Sequence, residues 1–305
     1  MQKPRPTADL RFVFHPESDI GYQHFDGSHE APFGATATSM TRANAWWLAE
    51  SALLAYWDAP DAIRRFAGAG LSADFVEVAD TQAYVAWNTA AILVSFRGTQ
   101  PGRIGDIVDD AVAVLVPWTH GLVHLGFREA LNRVWPKLIG PIERLAATRS
   151  VWFGGHSLGA ALATLAADRY PKSAGVCTLG SPRVGDRIFT ATFDARFGAR
   201  SLRYVNDTDI VTHVPTPFPL PYAHVNVLRH ITSDGRVTEQ TPTLAHLVPD
   251  VFGNVDHLKQ VMDALRGGTL TVAPDFLLDH MPRAYTVDIW NDFDGHRNDD
   301  VPGTR

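Results

Sequence analysis

The chain has 305 residues, 45% of them hydrophobic, which suffices for one large domain with a sizeable core or for two small ones. Its formal net charge is −6, so it lacks the basic surface that a phosphate backbone requires, and nucleic acid is not an expected partner. The single cysteine, Cys177, lies in an apolar stretch and excludes both an intrachain disulfide and a cysteine metal cluster.

The N-terminal residues do not lead into an apolar run, and no stretch approaches the roughly 18 consecutive apolar residues of a membrane span. We therefore expect a soluble protein with no visible secretory signal peptide. It would be cytoplasmic or exported by another route. The oligomeric state is left open.

The first part of the chain lacks a clear period. Residues 1–40 contain prolines, glycines and histidines, and we interpret them as an irregular N-terminal arm laid on the domain. Apolar residues then recur every three or four positions from Thr41 to Tyr56, which predicts an amphipathic helix. A second, short helix is predicted from Pro60 to Ala67.

The period then changes to that of strands. Residues 82–87 and 90–96 flank Asn88-Thr89, a plausible hairpin turn. Further along, the patterns predict helices at 123–142, 157–167 and 186–197 and buried strands at 151–155, 175–179 and 202–205. This alternation predicts βαβ units and an α/β fold with a central, mostly parallel sheet flanked by helices.

No repeat, low-complexity tract or linker divides the chain. We therefore predict one main domain over residues 41–290. Residues 291–305 are rich in aspartate and asparagine and are predicted to form a polar, solvated C-terminal tail.

Gly155-His156-Ser157-Leu158-Gly159 is a G-x-S-x-G motif between an apolar strand and an alanine-rich helix. A nucleophilic serine must sit on a sharp strand-to-helix turn, and glycines two residues to either side let the strand and helix approach closely. The alternative is a glycine-rich turn without catalytic use. Ser157 is thus the candidate nucleophile, whereas His156 is interpreted as a turn residue whose side chain diverges from that of Ser157.

Together with other segments, this motif gives the chain a resemblance to the class 3, or fungal-type, lipases over roughly residues 41–290. The resemblance rests on ordered segments: Val94–Thr99, Val123–Phe127, Gly155–Gly159, Gly180–Asp186, Tyr204–Pro215 and Leu278–His280. It implies the α/β-hydrolase fold and a Ser-His-Asp triad. Residues 1–40 lie outside it.

The acid and base follow the serine in α/β-hydrolases, in that order. Asp209 follows an apolar strand and matches the family's acid, while Asp207 is the local competitor or, like Asp209, a turn residue. Seven histidines follow Asp209: His213, His224, His230, His246, His257, His280 and His296. His280 follows an apolar run and matches the family's base. His213 and His224 are expected at the rim of the site.

The oxyanion hole is predicted to use the backbone N–H of Leu158, which follows the nucleophile. The resemblance implies Thr99 as the second donor, and Asp110 as the acid that holds the Thr99 hydroxyl. Asp106 and Asp109 are alternatives to Asp110, and all three acids could equally be charges at a helix start.

The resemblance places a lid at residues 100–109, which offer few bulky apolar side chains: Ile104, Ile107 and Val108. Strong interfacial activation is therefore not expected. A larger lid that includes Ala111–Trp118 is the alternative, although Val112, Val114 and Val116 alternate as in a strand. Phe218, Leu220, Pro221 and Tyr222 could form an acyl groove on the other rim.

The predicted function is hydrolysis of acylglycerols or smaller esters through an acyl-enzyme. Phospholipase A1, feruloyl esterase and thioesterase activities remain alternatives with the same triad, and a non-catalytic ligand-binding relative is a third class. No cofactor or metal is expected, since the chemistry needs none and no ligand cluster has metal spacing. Contact with a lipid interface would be at most transient.

Overall fold

The computed structural model describes residues 1–98, 114–225, 227–239 and 274–297. Several predicted features lie outside these ranges: Thr99, the lid at 100–109 with Asp106 and Asp109, Asp110, His246 and His257. The described helices are α1 (Leu10–Phe14), α2 (Arg42–Leu54), α3 (Ala59–Gly68), α4 (Leu125–Leu145), α5 (Leu158–Arg169), α6 (Arg187–Phe197), α7 (Asp275–Leu278) and α8 (Pro282–Gly295).

The described strands form two sheets. In chain order they are β1 (Ser72–Val78), β2 (Thr81–Trp87), β3 (Ala91–Phe96), β4 (Leu115–Pro117), β5 (Leu122–His124), β6 (Ser150–His156), β7 (Ser173–Leu179), β8 (Gly185–Asp186), β9 (Ser201–Asn206), β10 (Tyr222–Ala223), β11 (Val227–Ile231) and β12 (Val237–Thr238). The larger sheet has the order β1-β2-β3-β6-β7-β9-β11-β12, and the smaller has the order β10-β8-β5-β4.

The centre of the larger sheet is parallel from β3 through β6, β7 and β9 to β11, and the antiparallel pairs lie at its two ends. The predicted α/β-hydrolase architecture, a mostly parallel sheet flanked by helices, is confirmed. β1, β11 and β12 were not predicted. They lie at the sheet's margins, where a mixed apolar and polar sequence gives only a weak period-two signal.

Each face of the sheet packs against its own helical layer. On β6, Trp152 faces the core that includes α2 and α8, while Val151 and Phe153 face the core that includes α4 and α5. This alternation is the period-two geometry of a strand buried on both sides. The carboxyl ends of β3, β6, β7 and β9 therefore meet at one edge, where ligands bind in open α/β sheets.

The first residues of the chain contact the last described helix, α8. The N-terminal arm (residues 1–40) contains α1 and a single 3₁₀ turn at Pro16–Ser18. α8 continues past residue 290 to Gly295, with Phe293 buried against Trp290. In the part of the chain that the structure describes, no helix combines the length and apolar character that crossing a bilayer demands.

Candidate active site

Ser157 lies on the sharp turn between β6 and α5, with φ 59° and ψ −130°. This conformation is rare for a residue with a side chain and is costly. Close packing enforces the turn, since a β-carbon on Gly155 would lie 2.2 Å from the carbonyl oxygen of Gly159. One on Gly159 would lie 2.2 Å from the carbonyl oxygen of Phe96. The two glycines of the motif thus permit the strand-to-helix approach that the sequence predicted.

Leu158 is the first residue of α5, so its N–H belongs to the first helical turn and has no acceptor within the helix. The contact between Gly159 and Phe96 sets this helix start beside the end of β3. Thr99 itself lies outside the described residues, but Gly98, which precedes it, is buried there. The N-terminal end of α5 favours negative charge, as a developing oxyanion requires.

His280 and Asp209 form a buried pair. The Nδ1 atom of His280 lies 2.8 Å from Oδ2 and 2.9 Å from Oδ1 of Asp209. Both side chains are fully buried. Because Nδ1 faces a carboxylate, it carries the proton, which leaves Nε2 of His280 as a proton acceptor.

Two further donors hold the Asp209 carboxylate. The hydroxyl of Tyr285, on α8, donates to Oδ2 at 2.5 Å, and the Val211 N–H donates to Oδ1 at 3.0 Å. The Tyr285 hydroxyl also accepts the N–H of Asn206 at 2.9 Å. Burial, and then the charge of Asp209, raise the pKa of Tyr285 well above its usual value, so it remains a donor. The carboxylate is therefore fixed from three sides.

The serine and the histidine lie at the same sheet edge but are not hydrogen-bonded to each other. The Ser157 N–H donates to the carbonyl of Leu179 at 3.0 Å. The next residue, Gly180, is so close to His280 that a β-carbon there would lie 3.0 Å from Nδ1 of that ring. Ser157 Oγ and His280 Nε2 are both buried and lack a hydrogen-bond partner among the described residues.

His156 has a more specific place than a turn residue. Its ring packs on that of His280, with centroids 4.3 Å apart and planes inclined by 37°. Its Nδ1 is hydrogen-bonded to the Tyr56 hydroxyl at 2.7 Å. Burial, and then the nearby His280, lower the pKa of His156 well below its usual value, so this ring is neutral.

The other candidates for the acid and the base have different contacts. Asp207 is a turn residue with φ 37°, and its carbonyl oxygen lies 3.4 Å from Nε2 of His230. His224 binds the Thr212 carbonyl through Nε2 at 2.7 Å. Burial lowers the pKa of both His213 and His224. Among the candidate acids and bases that the structure describes, the hydrogen-bonded pair is therefore Asp209 and His280.

One carboxyl beside the site was missed. Asp279 precedes His280, and Oδ2 of Asp279 accepts the N–H and the hydroxyl of Thr208 at 3.1 and 2.7 Å. Burial raises the pKa of Asp279 to about 6. Asn206 Nδ2 also donates to the Asp279 carbonyl at 2.9 Å. No periodic pattern links these residues to the site, and the only sequence signal for Asp279 was its position next to His280.

The predicted acyl groove is partly exposed. Phe218 is 75% and Leu220 37% exposed, and Pro221 is also exposed. Tyr222 instead is buried in β10, where it pairs with Asp186 of β8. A role for Tyr222 in an acyl groove therefore stays a prediction. Within the described ranges, no group of three or more histidine, cysteine, aspartate or glutamate side chains is arranged to hold a metal ion.

The arrangement has the parts needed for nucleophilic catalysis: a serine at a strained elbow, a helix N-terminus beside it, and a histidine oriented by a carboxylate. The sequence profile of the lipase (class 3) family matches residues 93–218. This match includes the elbow and Asp209 but neither His280 nor the N-terminal arm.

Similar proteins extend the match. A secreted mono- and diacylglycerol lipase A of Penicillium cyclopium is 31% identical over 201 residues, which cover 60% of this chain and 63% of that relative. Phospholipase A1-II 3 of Oryza sativa subsp. japonica is 32% identical over 169 residues, covering 42% of this chain and 39% of the relative. The solved triacylglyceride lipase of Rhizomucor miehei superposes with a TM-score of 0.55 at 26% identity, over 68% of this chain and 89% of that one.

Proposed function

Because this chain belongs to the class 3 lipase family, within the α/β-hydrolase superfamily, we propose that it hydrolyses carboxylic esters, with lipid esters as its substrate class. The observation that carries the proposal is the buried contact between His280 and Asp209 at the sheet edge that also presents Ser157. Burying a histidine–carboxylate pair whose second ring nitrogen has no partner destabilises the fold. Such a cost is typical of a functional site, where the free nitrogen can accept a proton.

In the proposed acylation step, Ser157 Oγ bonds to the ester carbonyl carbon and its proton passes to Nε2 of His280. Asp209 stabilises the imidazolium that results. The carbonyl oxygen becomes an oxyanion, which the N–H groups of Leu158 and Thr99 stabilise. Asp110 is proposed to support Thr99. The carbon–oxygen bond to the alcohol then breaks, and the leaving alkoxide takes the proton from His280.

Deacylation repeats these steps with water as the nucleophile. His280 accepts a proton from the water molecule, the hydroxide adds to the acyl carbon, and Ser157 leaves with the proton of the imidazolium. Catalytic hydrogen bonds often tighten only when the substrate binds, so the open arrangement of Ser157 and His280 is compatible with this sequence of steps.

The second candidate substrate class within the same chemistry is phospholipids, cleaved as by a phospholipase A1. The observation that favours it is the 32% identity to the rice phospholipase A1-II 3. Feruloyl esters and thioesters would pass through the same acyl-enzyme. The exposed apolar side chains of Phe218 and Leu220 suit an acyl chain better than a polar headgroup.

The test of the proposed function combines labelling with a substrate profile. A serine-reactive phosphonate should label Ser157, and Ser157→Ala should keep the fold but lose several orders of magnitude in turnover. Ser181→Ala is the control, because that hydroxyl is also buried but donates to the Pro182 carbonyl. p-Nitrophenyl esters of increasing chain length, mono- and diacylglycerols and phospholipids would then identify the acyl and alcohol preference. Labelling of another serine, or an active Ser157→Ala variant, would refute the proposal.

A further inference from the structure

From the contacts of the N-terminal arm with the loops that carry the acid and the base, we infer that the arm is part of the catalytic apparatus and that Arg5 is a positioning residue. This inference rests on the proposed function. The arm lies outside the family match, which begins at residue 93. The role inferred for the arm therefore rests on the contacts that it makes in this chain.

Arg5 is anchored between two elements near the site. Its Nε and Nη2 atoms donate to Oδ2 of Asp288, on α8, at 3.0 and 2.8 Å. Its Nη1 donates to the Ser233 carbonyl, between β11 and β12, at 2.5 Å. The Asp288 side chain is 1% exposed, so Arg5 is the cation that balances a buried carboxylate.

The guanidinium also reaches the end of β9. Nη2 of Arg5 donates to Oδ1 of Asn206 at 3.3 Å. Asn206 is buried, and its amide group donates in turn to the carbonyl of Asp279, the residue before His280. An asparagine amide has one acceptor and one donor side. Arg5 on the acceptor side therefore orients the NH₂ group toward the chain that bears the base.

Asn206 also connects to the acid. The backbone carbonyl of Asn206 accepts the N–H of Asp209 at 2.9 Å. The backbone N–H of Asn206 donates to the Tyr285 hydroxyl, which in turn holds the Asp209 carboxylate. One residue thus bonds to both loops of the proposed triad. Arg5 fixes the side chain of that residue from outside.

A second part of the arm supports the same loops by apolar packing. Val13 of α1 is 3% exposed and lies in a small core with residues from both loops: Val211 and Val214 after the acid, and Leu277, Met281 and Ala284 around the base. This core is separate from the two that cover the sheet. Asp19 adds an ion pair with Arg283, three residues after His280. The arm therefore contacts the acid and base loops at three independent places.

We expect the Arg5 contacts to set the position of His280 and not only to contribute to the free energy of unfolding. A displacement of about 1 Å at a catalytic group can lower the rate by roughly 100-fold. Loss of the Arg5 side chain releases the Asn206 amide, and through it the backbone of Asp279. The imidazole of His280 would then sample orientations that face Ser157 less often.

The experiment compares full-length Arg5→Gln with Arg11→Gln. Arg11 lies on the same arm but is exposed, and its ion pair is with Asp9, two residues away. Each variant is titrated with the phosphonate to count competent sites, and kcat and KM are measured per labelled site. We expect kcat per site to fall roughly 10-fold in Arg5→Gln with KM nearly unchanged, and both to stay at wild-type values in Arg11→Gln.

A spectroscopic readout separates this inference from the proposed function. The proton between His280 Nδ1 and Asp209 should give a downfield proton resonance, which Arg5→Gln should shift or broaden and Arg11→Gln should not. Arg5→Lys keeps a charge beside Asp288 but lacks the fork that also reaches Asn206, so its kcat should lie between those of the wild type and Arg5→Gln.

The outcomes are distinct. Unchanged kcat per labelled site and an unchanged resonance in Arg5→Gln would overturn the inference, as would a loss that affects only the labelled fraction. If Arg5→Gln does not fold, Arg5→Lys and Val13→Ala carry the same test. A wild-type protein that is neither labelled nor active on any ester would refute the proposed function, while the resonance would still report on Arg5.

Discussion

The ring of His156 lies against the ring of His280, with centroids 4.3 Å apart, on a base whose Nδ1 edge is held by Asp209. Adjacent residues in sequence normally point their side chains apart. Here Ser157 turns back at the elbow, and His156 packs beside the base that Ser157 is proposed to use. Tyr56 fixes His156 in turn, through the hydrogen bond to Nδ1.

This stacking predicts an order of activities. His156→Phe keeps an aromatic ring against His280 but loses the bond to Tyr56, and Tyr56→Phe loses the same bond while His156 stays. Both variants should therefore lose kcat to a similar, small extent. His156→Ala removes the ring and should lose roughly 10-fold more, because His280 gains rotational freedom. Equal kcat in His156→Ala and His156→Phe would show that the stacking has no part in catalysis.

Substitutions of Asp209 and Asp207, the two candidate acids of one loop, should differ clearly in their effect on kcat. Asp209→Asn puts an amide opposite His280 Nδ1 and favours the wrong tautomer, so kcat should fall by several orders of magnitude, with the fold retained. Asp207→Asn is the matched control, because asparagine also tolerates the positive φ of this turn. Its kcat should stay close to that of the wild type. A large loss in Asp207→Asn with little in Asp209→Asn would reverse the assignment.

Asp288 predicts a pH dependence of stability. Burial raises the pKa of Asp288 to about 6, despite the opposing effect of Arg5. The folded state therefore binds more protons than the unfolded state between about pH 4 and pH 6, and the free energy of unfolding falls as pH rises through that window. Asp288→Asn should flatten this slope by up to about 1.4 kcal/mol per pH unit.

Urea unfolding at several pH values measures that slope. Asp279, whose pKa is also raised to about 6, contributes with the same sign, so the difference between wild type and Asp288→Asn isolates one carboxyl. Asp275→Asn removes an exposed carboxylate and should follow the wild-type curve. Parallel curves for Asp288→Asn and the wild type would contradict the prediction.

The exposed side chain of Phe218 predicts how activity on emulsified ester differs from activity on dissolved ester. Phe218 is 75% exposed, and apolar burial is worth roughly 25 cal/mol per Å². Phe218→Ser should lower activity on emulsified ester several-fold and leave activity on a dissolved short-chain ester unchanged. Ile20→Ser is the control, since Ile20 is 83% exposed but lies on the N-terminal arm.

The short predicted lid at residues 100–109 adds to this expectation. With few bulky apolar residues to release, it should permit activity on esters below their solubility limit, with only a modest rise when droplets form. Near-zero activity on dissolved ester, followed by a steep rise at the emulsion boundary, would instead favour a larger lid that includes Ala111–Trp118.

The sequence by itself determined the fold class and the strand-to-helix turn that presents Ser157, the proposed nucleophile. Short, continuous apolar runs at 151–155 and 175–179, each followed by a helical pattern, are local signals of buried strands in a parallel α/β sheet. The glycines around Ser157 are equally local, since two small residues four positions apart are what a tight strand-to-helix turn requires. The family resemblance then pointed to Asp209 and His280, which the structure places in contact.

Only the tertiary structure decided what surrounds them. Tyr56, Arg5 and Tyr285 lie far from Ser157 in sequence, and no period or spacing assigns their hydrogen bonds. Arg5 meets Asn206 across 201 positions of chain, because both residues bind side chains of α8, Asp288 and Tyr285 respectively. Such contacts depend on how helices and sheet pack, which is set by the whole core rather than by any segment. Local sequence marked the proposed nucleophile, and long-range packing set the groups that hold its proposed partners in place.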